Sequence, residues 1–266
     1  MATFNPADPE FWSQSAKTYA AQSEPFTGLF AADALALTQI GPGVKLLDVA
    51  AGTGAASALA AAAGAEVLAT DFSPGMIDAI EAQALPGVTA RVMNGEALAL
   101  DDASFDVTVS IFGVMLFPDW RAGLREMARV TRPGGAGVIA TWKHPFGAAT
   151  SLLLAEMRAE LFPDSPGMKP FGGMEVLRDP ERLTAEMEAA GFGAVHVAES
   201  SHDFRLKLGP DLDVETLFGF SPHWDGLNAD QRTQVMTALA ARIARDRQGD
   251  VLPIPSTALI ARGTRR

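Results

Sequence analysis

The stretch that decides the fold is LLDVAAGTG, at residues 46–54. Its apolar first part predicts a strand, which runs directly into a turn that contains Gly52 and Gly54. An alanine-rich helix at 55–63 follows, and Gly64 ends it. Strand, glycine turn and helix form the first unit of a doubly wound α/β fold, in which such a turn lets the backbone approach a nucleotide closely.

The same alternation of strands and helices continues towards the carboxyl terminus, which predicts a mostly parallel sheet. With the first strand at 44–49, the predicted strands are 66–70, 88–93, 105–111, 136–142, 194–198 and 251–262. The predicted helices between them are 75–85, 120–130, 148–161, 180–191 and 229–249. We therefore expect an α/β fold with a doubly wound, mostly parallel, seven-stranded Rossmann-like sheet.

Three segments do not follow this alternation. Residues 1–40 carry aromatic side chains at helical spacing and predict an N-terminal helical lid. Residues 41–266 form the main domain, in which proline and glycine interrupt the pattern at about 143–176 and again at about 202–249. We expect these two stretches to be inserted helical cap segments over the substrate, with residues 202–225 irregular.

Composition and charge exclude several classes of protein. The 266 residues are 48% hydrophobic and suffice for a large core, while the net charge of −11 disfavours nucleic acid. No apolar run approaches the roughly 20 residues of a membrane span, and no secretion signal opens the chain, so we expect a cytoplasmic protein with no membrane partner. The absence of cysteine removes thiolate metal sites and cysteine nucleophiles, and we predict no metal.

A carboxylate ends the second predicted strand. Asp71 lies 17 residues after Gly54, where it can accept hydrogen bonds from both hydroxyls of a ribose, although an acid here also fits an ordinary turn. Ser57 stands where the dinucleotide fingerprint has its third glycine, which weakens a nicotinamide cofactor without excluding it.

Four stretches, in order, resemble the motifs of class I S-adenosylmethionine-dependent methyltransferases. LLDVAAGTG resembles the first motif, and ATDFSPGMI at 69–77 resembles the second. NGEALALDDASFDVTVS at 94–110 and REMARVTRPGG at 125–135 resemble the segments around the fourth strand and before the fifth. The resemblance covers about 100 central residues. It implies S-adenosyl-L-methionine as cofactor, S-adenosyl-L-homocysteine as product and a small-molecule methyl acceptor as partner, and leaves the oligomeric state open.

The resemblance implies a role for each matching position. Gly52 and Gly54 would enclose the methionine part of the cofactor, with Asp48 shaping the turn and Ala50 in place of the usual first glycine. Asp71 would hold the ribose. Further cofactor contacts are implied for Phe72, Met76, Asn94, Gly95, Glu96 and Ile111.

Two of these cofactor residues have a second interpretation or depart from the family. Met76 also fits ordinary packing of an amphipathic helix. Asn94 stands where the family usually has aspartate, but its amide oxygen can still accept a hydrogen bond from the adenine amino group.

Catalysis by such a protein needs mainly alignment and exclusion of water, because methyl transfer from a sulfonium is an in-line displacement. A histidine base would help a hydroxyl acceptor, and we rank His144, after the fifth strand, ahead of His223. His196 alternates with valines in a strand, which predicts a structural or solvent-facing position. Lid or acceptor contacts are predicted for Trp12, Tyr19, Phe26, Phe112, Phe117 and Trp224, each of which also fits ordinary packing.

These features favour methyl transfer to oxygen, carbon or nitrogen of a small, apolar or aromatic acceptor. The turn after the fourth strand lacks the Asn/Asp-Pro-Pro-aromatic pattern of base methylases, and the missing cysteines exclude arsenite and radical chemistry. Two alternatives stay open: an NAD(P)-dependent oxidoreductase, and a non-catalytic protein that binds small molecules in a retained cofactor pocket.

Overall fold

The computed structural model describes residues 5–144, 147–164, 171–209, 222–224 and 226–266. It divides into two compact units. The first unit comprises Asn5–Thr141, Phe171–Ser200 and Ala258–Arg266, and the second draws on Trp142–Pro170 and Ser201–Thr257. The second unit overlaps the two expected cap segments, whereas the N-terminal helices belong to the first unit.

A seven-stranded sheet has the order β3-β2-β1-β4-β5-β7-β6, with β7 antiparallel. The strands are β1 Lys45–Val49, β2 Glu66–Asp71, β3 Val88–Val92, β4 Phe105–Ile111, β5 Thr131–Trp142, β6 Phe192–Lys207 and β7 Val251–Arg265. β1 pairs in parallel with both β2 and β4, so that Leu46 lies beside Val67 and Val107. Leu46, Leu47 and Val49 are fully buried, as expected for a central strand covered on both faces. The predicted fold class is confirmed.

Helices alternate with the strands, and four of those described begin at a side chain that caps a free amide. They are α1 Pro9–Gln22, α2 Glu24–Ala36, α3 Ala55–Ala62, α4 Pro74–Glu81, α5 Trp120–Val130, α6 Ala149–Leu161, α7 Met174–Leu177, α8 Pro180–Ala190 and α9 Ala229–Asp246. Asp179 caps α8, and Asn228 forms a capping box with Gln231 at α9. Among these helices none is long and apolar enough to cross a membrane.

The main errors of the sequence prediction concern two strands. β6 continues to Lys207, so residues 202–207 are not irregular. The alternation of Phe204 and Leu206 with polar residues is the period of a strand, which explains the extension. β5 begins at Thr131, because a shift of its pairing with β4 between Phe105 and Val107 accommodates the residues around Pro133.

The second unit has a hydrophobic core of its own. Leu154 of α6 and Val235 and Leu239 of α9 are fully buried there, and Trp224 packs in the same cluster.

The close approach of the ring of Phe192, the first residue of β6, to Gly137 of β5 generates the first prediction. A Cβ at Gly137 would overlap the ring of Phe192. We expect Gly137→Ala to lower the free energy of unfolding by about 1 to 3 kcal/mol, because the buried ring has little room to move. Urea denaturation measures this change. Gly41→Ala is the control, since nothing lies within 4 Å of a Cβ at that position. An equal decrease in the free energy of unfolding of the two variants would contradict close packing of Phe192 on Gly137.

Candidate functional site

The turn after β1 has an unusual backbone. Ala50, Gly52 and Gly54 have φ angles of 56°, 57° and 97°, all in the left-handed region. Glycine adopts this conformation freely, whereas alanine pays about 1 to 2 kcal/mol. Hydrogen bonds hold the turn: the Ala51 amide donates to the Thr70 carbonyl at 2.9 Å, and the Gly54 amide donates to the Ala51 carbonyl at 3.0 Å. Ala50 therefore adopts a left-handed conformation that glycine would adopt without strain.

Asp48 on β1 joins the strand to the helix that follows the turn. Its side chain is buried, and Oδ2 accepts a hydrogen bond from the Ser57 hydroxyl of α3 at 2.7 Å. Burial raises the pKa of Asp48 to about 6, although the bond from Ser57 opposes this shift. The pair fixes the start of α3 against β1.

Asp71, at the end of β2, holds two backbone segments at once. Its Oδ2 accepts a hydrogen bond from the Gly52 amide at 3.0 Å, and its Oδ1 accepts one from the Ser73 amide at 2.9 Å. Burial raises the pKa of this carboxyl to about 6 as well. A carboxylate has about four acceptor sites, so these two bonds leave Asp71 with capacity for a ligand hydroxyl.

A small pocket opens at the turn. Its lining includes Tyr19, Glu24, Thr27, Asp48, Thr53 and Ile111. Thr53 is only 1% exposed, and within the described part of the chain its hydroxyl has no hydrogen-bond partner. Because an unpaired buried hydroxyl costs free energy, this atom suits a polar group of a ligand.

The N-terminal helices form one wall of this pocket. The Tyr19 hydroxyl of α1 lies 3.5 Å from the Thr27 hydroxyl of α2, and burial raises the pKa of Tyr19. Ser13 anchors α1 to the start of α4, because its Oγ lies 2.9 Å from the Ser73 hydroxyl and accepts a hydrogen bond from the Gly75 amide at 3.1 Å. α1 and α2 are thus packed on the turn region.

Comparison with known proteins shows the family to which the chain belongs. A family model described as a methyltransferase domain matches residues 47–139. The demethylmenaquinone methyltransferase of Mycobacterium sp. (strain JLS) is 36% identical over 165 residues, which cover 59% of this chain and 70% of that protein. The chain belongs to the S-adenosylmethionine-dependent methyltransferase family.

Other known proteins share shorter segments or the fold with this chain. An uncharacterized protein of Mycobacterium tuberculosis (strain H37Rv) is 42% identical over 111 residues, which are 41% of this chain and only 40% of that relative's length. The YcgJ protein of Bacillus subtilis superposes with a TM-score of 0.53 at 18% identity, over 90% of this chain and 97% of that one. At this identity the likeness concerns the fold alone.

A phosphoethanolamine N-methyltransferase of Haemonchus contortus shares the fold and was solved with S-adenosylhomocysteine. It has a TM-score of 0.52 and 15% identity, over 90% of this chain and 52% of that one. S-adenosylmethionine is the cofactor of the family, and the residues present fit it. The unpaired Thr53 hydroxyl and the free acceptor capacity of Asp71 both lie where a polar ligand is expected, at the carboxyl ends of β1 and β2.

The residues predicted to contact adenine follow the ends of β2 and β3. Phe72 is half-buried, and Met76 of α4 is 1% exposed. Asn94 is exposed, and its Oδ1 accepts a hydrogen bond from the Glu96 amide at 2.9 Å, so this oxygen already holds the loop after β3. Gly95 is buried so closely against Phe117 that a Cβ there would lie 2.6 Å from the ring. Their adenine contacts stay predictions.

The predicted lid aromatics differ in their surroundings. Phe26 and Phe112 both pack edge to face on Phe30, with ring centroids 5.3 and 5.4 Å apart, and are core residues in this structure. Trp12 donates from Nε1 to the Pro6 carbonyl at 3.0 Å and has its ring centroid 6.4 Å from that of Tyr19. Only Tyr19 of the predicted lid residues described in the first unit lines the pocket.

The two candidate bases belong to the second unit. His144 is half-buried, and its carbonyl accepts a hydrogen bond from the Gly147 amide at 3.1 Å. His223 is 1% exposed, and its carbonyl accepts a hydrogen bond from Nη1 of Arg158 at 2.6 Å. Their catalytic roles, like the acceptor contact of Trp224, stay predictions.

Sequence reasoning missed four polar residues of the site. Ser57 counted only as a departure from the dinucleotide pattern, yet it is the partner of Asp48. Thr53 lies between Gly52 and Gly54, and only the two glycines were predicted to contact the cofactor. Glu24 and Thr27 are three residues apart at the start of α2, and this spacing on one helix face was the available signal.

The raised pKa of Asp48 generates the second prediction. The folded chain binds a proton at Asp48 up to about pH 6, whereas the unfolded chain releases it near pH 3.8. The contribution of Asp48 to stability therefore falls as pH rises through this window. We expect the free energy of unfolding of Asp48→Asn, relative to that of the natural chain, to increase by about 2 kcal/mol as the pH rises from 4 to 8. Urea denaturation at each pH measures this difference.

The control for this prediction is Asp78→Asn, because Asp78 is exposed on α4. Its stability should follow that of the natural chain at every pH. A stability difference for Asp48→Asn that does not change with pH would contradict the assignment.

Proposed function

We propose that this chain transfers a methyl group from S-adenosyl-L-methionine to a small, apolar or aromatic acceptor. The observation that carries the proposal is the pocket at the turn after β1. It combines a buried, unpaired Thr53 hydroxyl with the carboxylates of Asp48 and Glu24 in a chain of this family.

The residues of the chain bind and orient the two reactants. Asp71 holds the ribose with its remaining acceptor sites, and the turn from Ala50 to Gly54 encloses the methionine part. When bound, the cofactor supplies a methyl group on a positively charged sulfur. α1 and α2 cover the turn and exclude water, which favours displacement along a fixed line.

The name of the 36% identical relatives supports an aromatic acceptor such as a quinone ring. A bound cofactor would supply the methyl group for an in-line displacement by the acceptor atom, and the electron pair of the carbon–sulfur bond would remain on the thioether product. The acceptor then loses a proton. We propose that His144 accepts it where the acceptor is a hydroxyl or an activated ring carbon.

A transfer assay tests this function. The chain is incubated with S-adenosylmethionine labelled in the methyl group and with short-chain demethylmenaquinone, a phenol or an amine. Transfer of label to one acceptor class supports the proposal. Binding of NADH with no binding of S-adenosylhomocysteine would contradict it in favour of an oxidoreductase, and cofactor binding without transfer to any acceptor would favour a non-catalytic binding protein.

Thr53 gives the third prediction. Thr53→Val removes the hydroxyl and keeps the shape, so the affinity for S-adenosylmethionine and for S-adenosylhomocysteine should each fall by about 5-fold to 10-fold. The thermal midpoint should stay or rise, because an unpaired buried hydroxyl is lost. Calorimetric titration and thermal melting measure both. Thr89→Val on exposed β3 is the control; unchanged affinity in Thr53→Val would show that the hydroxyl does not contact the cofactor.

His144 gives the fourth prediction. If it accepts the proton, His144→Ala should lower kcat by about 100-fold with nearly unchanged cofactor affinity. His196→Ala, on β6, is the control and should keep full activity. A fully active His144→Ala would remove His144 from the mechanism.

A further inference from the structure

The pocket at the turn is one-sided in charge. Glu24 and Asp48 both line it, and no lysine, arginine or histidine is among its lining residues in the described ranges. A third carboxylate, Asp71, lies beside it, with Oδ2 3.0 Å from the Gly52 amide. Such a pocket has a negative potential and attracts positive charge.

The pKa of Tyr19, which lines the pocket, is affected by the same negative charges. After burial, which has the largest effect, the charges of Glu24, Asp71 and Asp48 raise the pKa of its hydroxyl further. All three carboxylates therefore act electrostatically on this wall of the pocket.

Glu24 differs from the other two carboxylates because it does not build the turn. Asp48 is bonded to Ser57, and Asp71 is bonded to Gly52 and Ser73. Glu24 is the first residue of α2, and within the described residues no hydrogen bond or ion pair of its carboxylate is found. Its charge is thus available to a ligand, and its replacement leaves the hydrogen bonds of the turn in place.

A second observation points independently to a ligand in this pocket. The Thr53 hydroxyl is 1% exposed, lacks a partner in the described chain and lines the same cavity as Glu24. A buried hydroxyl in this state needs a polar group from outside the protein to complete its hydrogen bonding.

We propose that Glu24 is a specificity residue that makes this pocket select the positively charged methyl donor over its uncharged thioether product. The inference rests on the proposed function. The two molecules share the adenosine, the ammonium and the carboxylate, and they differ in one methyl group and one positive charge on sulfur. A carboxylate at the pocket wall favours the charged form and so promotes release of the product after transfer.

The role of Glu24 complements that of Thr53. The Thr53 hydroxyl would bind a group that donor and product share, so its loss weakens both. The ammonium and the carboxylate of both molecules offset each other in net charge, so the charge that Glu24 meets only in the donor is the one on sulfur, and its loss weakens mainly the donor. The ratio of the two affinities separates these roles.

Calorimetric titration of the full chain with S-adenosylmethionine and with S-adenosylhomocysteine tests the inference. In Glu24→Gln we expect affinity for the donor to fall by about 10-fold and affinity for the product to change by less than about 2-fold. Glu24→Lys should shift the ratio further towards the product. Glu10→Gln is the matched control, because Glu10 lies in the first turn of α1 and does not line the pocket.

Equal changes for the two ligands in Glu24→Gln, or no change, would overturn the role of Glu24. Failure of the proposed function looks different, because the natural chain would then either bind neither ligand or bind both without transferring a methyl group to any acceptor. Thermal melting of Glu24→Gln separates a binding effect from loss of the α2 start. Glu24→Asp keeps the negative charge at the start of α2 and should keep the preference for the donor, so the test stays decisive if the neutral variant is unstable.

Discussion

The structure depends on two buried carboxylates that hold the turn after β1. Asp48 accepts the Ser57 hydroxyl from one side, and Asp71 accepts the Gly52 amide from the other. Neither carboxylate has a positively charged partner in these bonds, and burial raises the pKa of both to about 6. Fixing this turn with buried carboxylates therefore lowers the stability of the protein, which is typical of a site organised before its ligand arrives.

The strain in the turn has the same explanation. Ala50 lies in the left-handed region, and the Thr53 hydroxyl is buried without a partner among the described residues. Each feature costs free energy in the protein alone. A ligand that brings polar groups and positive charge to the pocket offsets part of this cost, which connects the turn to cofactor binding.

Much of the fold followed from the sequence, because strand-turn-helix units with apolar strands carry a strong local signal. The limits of β1, β4 and α5 were close to those observed. The pocket wall was harder to predict, since Glu24 and Thr27 reach the turn only through packing of α2, which no local pattern encodes. The partnership of Asp48 with Ser57 likewise depends on how α3 packs on β1.

The central claim is that the turn at residues 50–54 and the end of β2 form the cofactor site. Amide hydrogen exchange of the full chain with and without S-adenosyl-L-homocysteine tests it most directly. Slower exchange in residues 50–57 and 71–76, with little change at the exposed end of α9, is the predicted result. Binding that leaves exchange in both segments unchanged would contradict the account.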